Sequence, residues 1–312
     1  MRRISSVTQA IGNTPLVRLS KLATGKVNLY AKMEYLQPGG SVKDRAALRV
    51  IQDAYACGDL KRNQPVIEMT SGNMGAGLAI VCSAMGNPFT AVMSVGNSPE
   101  RAKMMRSLGA EVILTSQVDG TPGHVTGKDF FKSEEVAREL AQARGAYYVD
   151  QFNRSGCMTA HLEGTGPEIF EAMEGKVDAF IATVGSGGTL IGCSTYLKQK
   201  LPGIVTACVE PANCAILAGK PVTSSSHLIQ GTGYSIIPHH WDKSVVDQYY
   251  QVSDDEVLEM TRRLAREEGM YVGYSAGANV CAALKMIAAN DFPDGANLVT
   301  ILCDTGLKYS FP

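Results

Sequence analysis

Short apolar segments alternate with longer amphipathic segments along most of the chain. The short segments are rich in β-branched residues and predict strands, while the longer ones place apolar residues on one helical face. The predicted strands are residues 65–69, 88–94, 111–115, 146–149, 179–184, 205–210 and 298–303. The predicted helices are residues 46–55, 78–85, 99–108, 132–144, 164–173, 190–200, 254–268 and 279–290. This alternation predicts an α/β protein with parallel sheets and crossover helices.

Two glycine-rich segments together suggest a cofactor. Lys43 lies in a glycine-rich turn at the start of a predicted helix, where the helix dipole disfavours an ammonium and makes a neutral amine easier to reach. A second loop joins a predicted strand to a predicted helix, and its backbone N–H groups could bind a phosphate. This loop consists of Gly185, Ser186, Gly187, Gly188 and Thr189. A nucleophilic lysine together with a phosphate site suggests pyridoxal phosphate. Taken one at a time, a lysine in such a position is more often an ordinary solvated side chain, and a glycine loop is more often only a tight turn.

Further polar glycine turns stand at other predicted helix starts. Thr70, Ser71 and Asn73 offer hydroxyls and N–H groups that suit a carboxylate, and the Asn73 amide could bind a phenolic oxygen. Ser275 offers a neutral hydroxyl that would leave a pyridine nitrogen largely unprotonated. Ordinary helix N-caps would explain the same residues. Residues 230–234, which include Gly231, could line a pocket or only turn the chain.

The ordered set of these motifs resembles the cysteine synthase family, within the fold-type II pyridoxal-phosphate enzymes that include cystathionine β-synthase and threonine dehydratase. The motifs are GGSVKDR at 39–45, TSGN-x-G at 70–75, GSGGT at 185–189 and G-x-S-x-G at 273–277. The resemblance implies two doubly wound, mostly parallel, three-layer domains with the cofactor in the cleft between them. The smaller, mobile domain would take residues 41–150, and the larger would take residues 1–40 and 151–312.

The same resemblance implies an activity and a role for each site residue. The activity would be β-replacement on an activated L-serine, of the O-acetylserine or O-phosphoserine type, through an aminoacrylate. Lys43 would hold pyridoxal 5'-phosphate as a Schiff base and, once displaced, would take the α-proton. The other cofactor contacts would be Asn73, Ser275 and residues 185–189. The substrate contacts would be Thr70, Ser71, Asn73, Met74, Gln151 and Gly231. A homodimer would also be expected.

The chain departs from the family pattern near the substrate. The family usually has threonine where this chain has Met74, residues 153–158 replace an asparagine- and proline-rich segment, and the loop 117–128 is longer than usual. Arg154 could contact a second carboxylate, although a solvated arginine is the simpler interpretation. A sulfide-using cysteine synthase, a cystathionine β-synthase-like or specialised β-replacement enzyme, and a β-eliminating lyase or dehydratase all remain open. The intact motifs argue against a non-catalytic protein.

Composition and charge restrict the partners. The 312 residues carry a net charge of −1 and are 45% hydrophobic, which does not favour nucleic-acid binding. No apolar stretch reaches the roughly 20 residues of a membrane span, and no apolar run follows the basic N-terminus as in a signal peptide. The eight cysteines and five histidines show no metal-ligand spacing. We therefore expect a cytoplasmic enzyme with reduced cysteines and no metal.

Overall fold

A computed structural model of the protein describes residues 3–121 and 125–309. Residues 1 and 2 of the basic N-terminus, residues 122–124 of the long loop 117–128 and residues 310–312 lie outside the described residues. The strands are β1 Leu16–Arg18, β2 Asn28–Lys32, β3 Val66–Met69, β4 Phe89–Ser94, β5 Glu111–Thr115, β6 Tyr147–Tyr148, β7 Ala179–Thr183, β8 Val205–Pro211, β9 Gln248–Val252 and β10 Asn297–Ile301. The α-helices are α1 Lys43–Cys57, α2 Asn73–Met85, α3 Pro99–Ser107, α4 Gly127–Arg144, α5 Gly156–Ala160, α6 Gly166–Ala172, α7 Gly188–Lys200, α8 Asp254–Glu267 and α9 Tyr274–Ala289.

The chain forms two compact units. The first consists of Met1–Ile11, Gln37–Gly39 and Lys43–Cys157, and the second of Gly12–Leu36, Gly40–Val42 and Met158–Pro312. Each is described separately below.

The first unit is built on a four-stranded sheet in the order β5-β4-β3-β6, and all of its strand pairs are parallel. Residues of α1, α2 and α3 pack on one face of this sheet in an apolar cluster, and α4 packs on the other face. Its two central strands, β3 and β4, are entirely buried, which is typical of a parallel sheet covered on both faces. The first unit is therefore a three-layer α/β sandwich.

The second unit has a six-stranded sheet in the order β1-β2-β10-β7-β8-β9. Only the pair β1–β2 is antiparallel, and the other four pairs are parallel. Helices α8 and α9 cover one face, and α6 and α7 cover the other. The α/β class with parallel sheets is thus confirmed.

Several elements differ from the sequence prediction. Strands β1, β2 and β9 were not predicted, because they are short or carry polar residues and lack the continuous apolar run of a central strand. The predicted helix 164–173 corresponds to α6, but the helical segment begins earlier, with α5 and a π-helical turn His161–Thr165 that the sequence did not predict. A π turn holds more residues than an α turn and so disrupts the periodicity from which a helix is predicted.

Candidate active site

The starts of α1 and α2 lie side by side in the first unit. Lys43 is the first residue of α1 and is half-buried. Gly77, in the second turn of α2, has no side chain, and a Cβ atom there would lie 3.2 Å from Asp44 Cα and 3.1 Å from Ala47 Cβ. A larger residue would force the helices apart, because these neighbours are a backbone atom and a Cβ atom of α1 and cannot rotate away. Gly77 therefore permits the close packing of α2 against the first turn of α1, the helix that begins at Lys43.

The turn before α2 has the features of an anion site. Gly72 is the N-cap of α2, and no side chain caps the helix, so the N-cap interpretation of Ser71 or Asn73 does not apply. The start of α2 thus presents the positive end of the helix dipole to this turn without a side-chain cap at its N-cap position, as helix N-termini that bind anions do. The Arg101 guanidinium donates a hydrogen bond to the carbonyl oxygen of Ser71 at 3.1 Å and adds positive charge beside the turn.

Met74 packs inside the first unit. Its side chain is only 3% exposed and belongs to the apolar cluster that also contains Leu78 and Met105. The second departure from the family pattern contains Arg154, which is 3.8 Å from the carboxylate of Asp59 and stacks over the Tyr147 ring at 5.3 Å from its centroid. Arg154 is thus engaged at the surface of its own unit, in agreement with the simpler interpretation.

Gln151 is held by a buried glutamate. Its Nε2 donates hydrogen bonds to Glu68 Oε1 at 2.9 Å and to the carbonyl oxygen of Met69 at 3.2 Å. The backbone N–H of Asp150 donates to the other carboxylate oxygen of Glu68 at 2.8 Å. Glu68 is 1% exposed, and burial raises its pKa to about 8 although the hydrogen bonds from Gln151 and Asp150 oppose this rise.

The glycine loop of the second unit matches a phosphate cradle. Gly187 has φ = +89°, a left-handed conformation that favours glycine, and it is the N-cap of α7 without any side-chain cap. A Cβ atom on Gly185 would collide with the carbonyl oxygen of Gly231, so the two segments touch. Because no side chain caps α7, its first N–H groups can bind an anion such as a phosphate ester.

A buried histidine contacts this loop. His161 Nε2 lies 3.2 Å from Thr189 Oγ1, and His161 Nδ1 lies 2.9 Å from Thr165 Oγ1. The histidine is 1% exposed and belongs to the π-helical turn. It fixes the hydroxyl of Thr189 at the first turn of α7. The sequence analysis does not single out His161, and the i, i+4 spacing of His161 and Thr165 is the sequence signal for this pair.

Ser275 is the second residue of α9 and is 6% exposed. The N-cap of this helix is Gly273 and no side chain caps it, so Ser275 is not an N-cap. Asn279, one turn later, accepts a hydrogen bond from Thr183 N at 2.7 Å and donates one to Ile301 O at 2.8 Å. These bonds attach the start of α9 to the carboxyl ends of β7 and β10.

The predicted site residues thus fall into one group in each unit. The first unit contains Lys43, Thr70, Ser71, Asn73, Met74 and Gln151. The second unit contains Gly185, Ser186, Gly187, Gly188, Thr189, Gly231 and Ser275. Glu68, His161 and Asn279 contact or support these groups and were not singled out from the sequence.

Across residues 3–121 and 125–309, no group of histidine, cysteine and acidic side chains could hold a metal ion. No helix in those ranges could span a membrane. A lysine at the start of α1 and an uncapped helix N-terminus in a glycine loop are the groups that the aldehyde and the phosphate of pyridoxal phosphate require.

Comparisons with known proteins agree with these features. A family model described as pyridoxal-phosphate dependent enzyme matches residues 7–304. Cysteine synthase of Staphylococcus aureus is 37% identical over 308 residues, which are 98% of this chain and 95% of that protein. O-ureido-L-serine synthase of Streptomyces lavendulae is 38% identical over 310 residues, which are 99% of this chain and 92% of that protein.

The structural comparison leads to the same family. The crystal structure of the O-acetylserine dependent cystathionine β-synthase from Helicobacter pylori superposes with a TM-score of 0.89 and 32% identity. The match covers 100% of this chain and 99% of that one. The fold-type II architecture and the pyridoxal-phosphate cofactor expected from the sequence are confirmed. The chain belongs to the pyridoxal-phosphate dependent enzyme family and is an enzyme of the cysteine synthase type.

Proposed function

We propose that this enzyme catalyses β-replacement on an activated L-serine, with O-acetyl-L-serine or O-phospho-L-serine as donor. The observation that carries this proposal is the uncapped start of α2 beside Lys43 at the start of α1. In an α-amino acid the carboxylate is bonded directly to Cα. A carboxylate site on one helix and a lysine amine on the neighbouring helix therefore suit such a substrate.

Each residue has a separate task in this proposal. Bound pyridoxal phosphate withdraws electrons from Cα, which acidifies the α-proton and allows the β-substituent to leave. Lys43 attaches the cofactor and then moves the α-proton. Thr70, Ser71 and Asn73 bind the carboxylate together with the N–H groups of α2. Residues 185–189 bind the phosphate, and Ser275 faces the pyridine nitrogen as a neutral partner.

We propose further that the preferred nucleophile is larger than sulfide. Met74 replaces a hydroxyl of the carboxylate site by a thioether that packs in the apolar cluster. Relatives named for O-ureido-L-serine and for cystathionine illustrate that enzymes of this type serve nucleophiles other than sulfide. A β-eliminating lyase is the second candidate, since the same residues would release the donor without replacement.

The proposal includes a cytoplasmic homodimer. The eight cysteines form no disulfide, as is usual in a reducing compartment. Sedimentation of the purified protein would test the dimer.

A screen of donors against nucleophiles, followed by mass spectrometry, tests the function. O-acetyl-L-serine and O-phospho-L-serine would each be combined with sulfide, homocysteine, hydroxyurea and amino acids. β-Replacement is supported by a new amino acid whose mass is that of alanine carrying the nucleophile on its β-carbon. Pyruvate and ammonia alone, with every nucleophile, would instead identify a lyase and contradict the proposal.

A further inference from the structure

A long connection between β8 and β9 carries Gly231. The structure describes all of residues 212–247, and they form one short 3-10 turn, Lys243–Val245, but no strand or α-helix. Connections of this length inside a compact domain are usually functional or disordered. The hydrogen bonds of this connection show which part of it is held in place, and by which side chains.

Two side chains converge on the carbonyl oxygen of Gly233. Cys214 Sγ lies 3.2 Å from this oxygen, and His227 Nε2 also lies 3.2 Å from it. Because a carbonyl oxygen can only accept hydrogen bonds, Cys214 donates its S–H and His227 donates its Nε2–H. The two donors precede Gly233 by 19 and 6 positions, so this one oxygen joins three parts of the connection.

The backbone around Gly233 is shaped for this approach. Gly233 has φ = +59°, and a Cβ atom there would lie 2.7 Å from His227 Nε2 and 2.9 Å from Pro211 Cγ. Ser235 has φ = +58°, a left-handed conformation that is unfavourable for serine. Its Oγ lies 3.2 Å from Cys214 Sγ, so Cys214 contacts the segment 231–235 at two points.

Cys214 and His227 are themselves attached to regular elements. Cys214 N donates a hydrogen bond to Pro211 O, at the end of β8, at 3.0 Å. Leu228 N, next to His227, donates to Asp254 Oδ1 at 3.0 Å, and Asp254 is the first residue of α8. The position of the segment 231–235 is therefore set by β8 and α8 through these two donors.

Residues on either side of Gly233 in the sequence touch the phosphate loop. A Cβ atom on Gly185 would collide with the carbonyl oxygen of Gly231 and would lie 3.9 Å from Tyr234 Cε2. Gly231 and Tyr234 therefore both border the first residue of the loop. Because Gly233 lies between them, a displacement of Gly233 would move both contacts.

We propose that Cys214 and His227 are positioning residues that hold the segment 231–235 against the phosphate loop. Each acts through the Gly233 carbonyl and need not touch the cofactor. The inference rests on the proposed function only in the assignment of the cofactor phosphate to residues 185–189. Loss of either donor should loosen the segment and weaken the retention of the cofactor, whichever donor and nucleophile the enzyme uses.

Two replacements of His227 separate the hydrogen bond from the packing of the ring. Glutamine can place its amide nitrogen where the histidine has Nε2, whereas the shorter asparagine reaches only the position of Nδ1. Nδ1 is buried and has no hydrogen-bond partner among the described residues, so an amide there restores nothing. His227→Gln should therefore keep the contact with Gly233 O, and His227→Asn should lose it.

Cys214 provides an independent pair of variants. Cys214→Ser keeps a hydroxyl that can donate to Gly233 O, and Cys214→Ala keeps no donor. This pair serves if the histidine variants do not fold. Thr223→Val is the matched control, because Thr223 Oγ1 donates to another main-chain carbonyl of the same connection, Asn213 O at 3.3 Å, outside the segment 231–235.

Hydrogen exchange and cofactor binding of the holoenzyme measure the effect. In His227→Asn and in Cys214→Ala, amide exchange in the segment 231–235 and the dissociation constant of pyridoxal phosphate should each rise about three- to tenfold, as expected for one lost hydrogen bond. The 31P NMR signal of the bound cofactor should shift in the same two variants. His227→Gln, Cys214→Ser and Thr223→Val should stay within about twofold of the wild type in both quantities and keep its 31P signal.

The double variant tests whether the two donors share one task. In each single variant the remaining donor still holds the Gly233 carbonyl, whereas Cys214→Ala combined with His227→Asn releases it. The rise in the dissociation constant should therefore exceed the product of the two single effects by about threefold or more. A double effect equal to that product would mean that the two side chains act independently and would contradict the shared role.

Two further outcomes would overturn the inference. The first is wild-type exchange and cofactor affinity in both His227→Asn and Cys214→Ala. The second is an equal loss in His227→Gln and His227→Asn, which would give the ring only a packing role. A wild type that performs no replacement with any nucleophile would refute the proposed function, while hydrogen exchange would still decide whether the two side chains hold the segment 231–235.

Discussion

Replacement of Glu68 by glutamine should change how the stability of the protein depends on pH. Burial raises the pKa of Glu68 from its ordinary value of 4.5 to about 8. Between these values the folded protein keeps a proton that the unfolded chain has lost. The free energy of unfolding of the wild type therefore falls as the pH rises through this window, by at most about 1.4 kcal/mol per pH unit.

Across the whole window, this one carboxyl group lowers the free energy of unfolding by roughly 5 kcal/mol, which is comparable to the total stability of many domains. Below about pH 4.5 the group is protonated in both states and contributes nothing, and above about pH 8 it is ionised in both and the full destabilisation is present. Glutamine keeps the shape of the side chain but cannot ionise. The variant should therefore lack this pH-dependent loss of stability.

Urea unfolding followed by circular dichroism at pH values from 5 to 8 measures the effect. The stability of Glu68→Gln relative to the wild type should increase steadily across this range. A relative stability that stays constant from pH 5 to 8 would refute the reasoning, because it would mean that Glu68 ionises near its ordinary pKa in the folded protein.

Glu111→Gln serves as a control of opposite sign. A hydrogen bond from Arg144 lowers the pKa of Glu111, so its stabilising contribution is fully present above pH 4.5 and is lost as the pH falls through the folded pKa. The stability of Glu111→Gln relative to the wild type should therefore stay constant between pH 5 and 8. Burial raises the pKa of Glu68 whereas the Arg144 hydrogen bond lowers that of Glu111, and these opposite shifts predict the contrast.

Three further predictions concern the cofactor and the substrate. Borohydride reduction of the holoenzyme should place a pyridoxyl group on Lys43, and Lys43→Ala should abolish turnover; peptide mass spectrometry showing the label on another lysine would contradict this. Ser275→Ala should keep the cofactor with a modest loss of activity, whereas Ser275→Asp should shift the absorption spectrum and impair turnover; robust transaminase activity in the wild type would contradict the neutral partner. Met74→Thr should raise kcat/KM for O-acetyl-L-serine with sulfide by roughly ten- to hundredfold, as expected for one regained hydrogen bond to a charged group; unchanged kinetics would show that the missing hydroxyl does not limit this reaction.

Local patterns were sufficient to predict the central strands and the turns that follow them. The strand β3 and the turn at Thr70 lie next to each other in the sequence, as do β7 and the loop at Gly185. Because parallel strands present their carboxyl ends at one edge of a sheet, a polar glycine turn after an apolar run identifies a candidate ligand site from a few consecutive residues. The edge strands β1 and β9 carry no such signal.

Contacts between distant residues could not be predicted in the same way. Glu68 and Gln151 are separated by 83 positions, and the left-handed turn at Asp150 that joins them has no glycine to mark it. His161 meets Thr189 across 28 positions and through a π-helical turn. In both pairs the sequence shows two polar residues without a distinctive motif. Only the packing of strands and helices shows that their side chains form a hydrogen bond.

Met74 illustrates how one substitution can act through two physical effects. In the sequence comparison with the family pattern, it replaces a hydroxyl in the carboxylate site by an apolar side chain. In the structure the thioether packs in the apolar cluster of the first unit, at the second residue of α2. Cutting a buried methionine to a small residue usually destabilises a protein by roughly 2–5 kcal/mol. Met74→Thr should therefore gain a contact with the substrate and at the same time lose packing in the apolar cluster. The altered specificity would follow from the missing hydroxyl. The methionine itself stabilises the start of the helix.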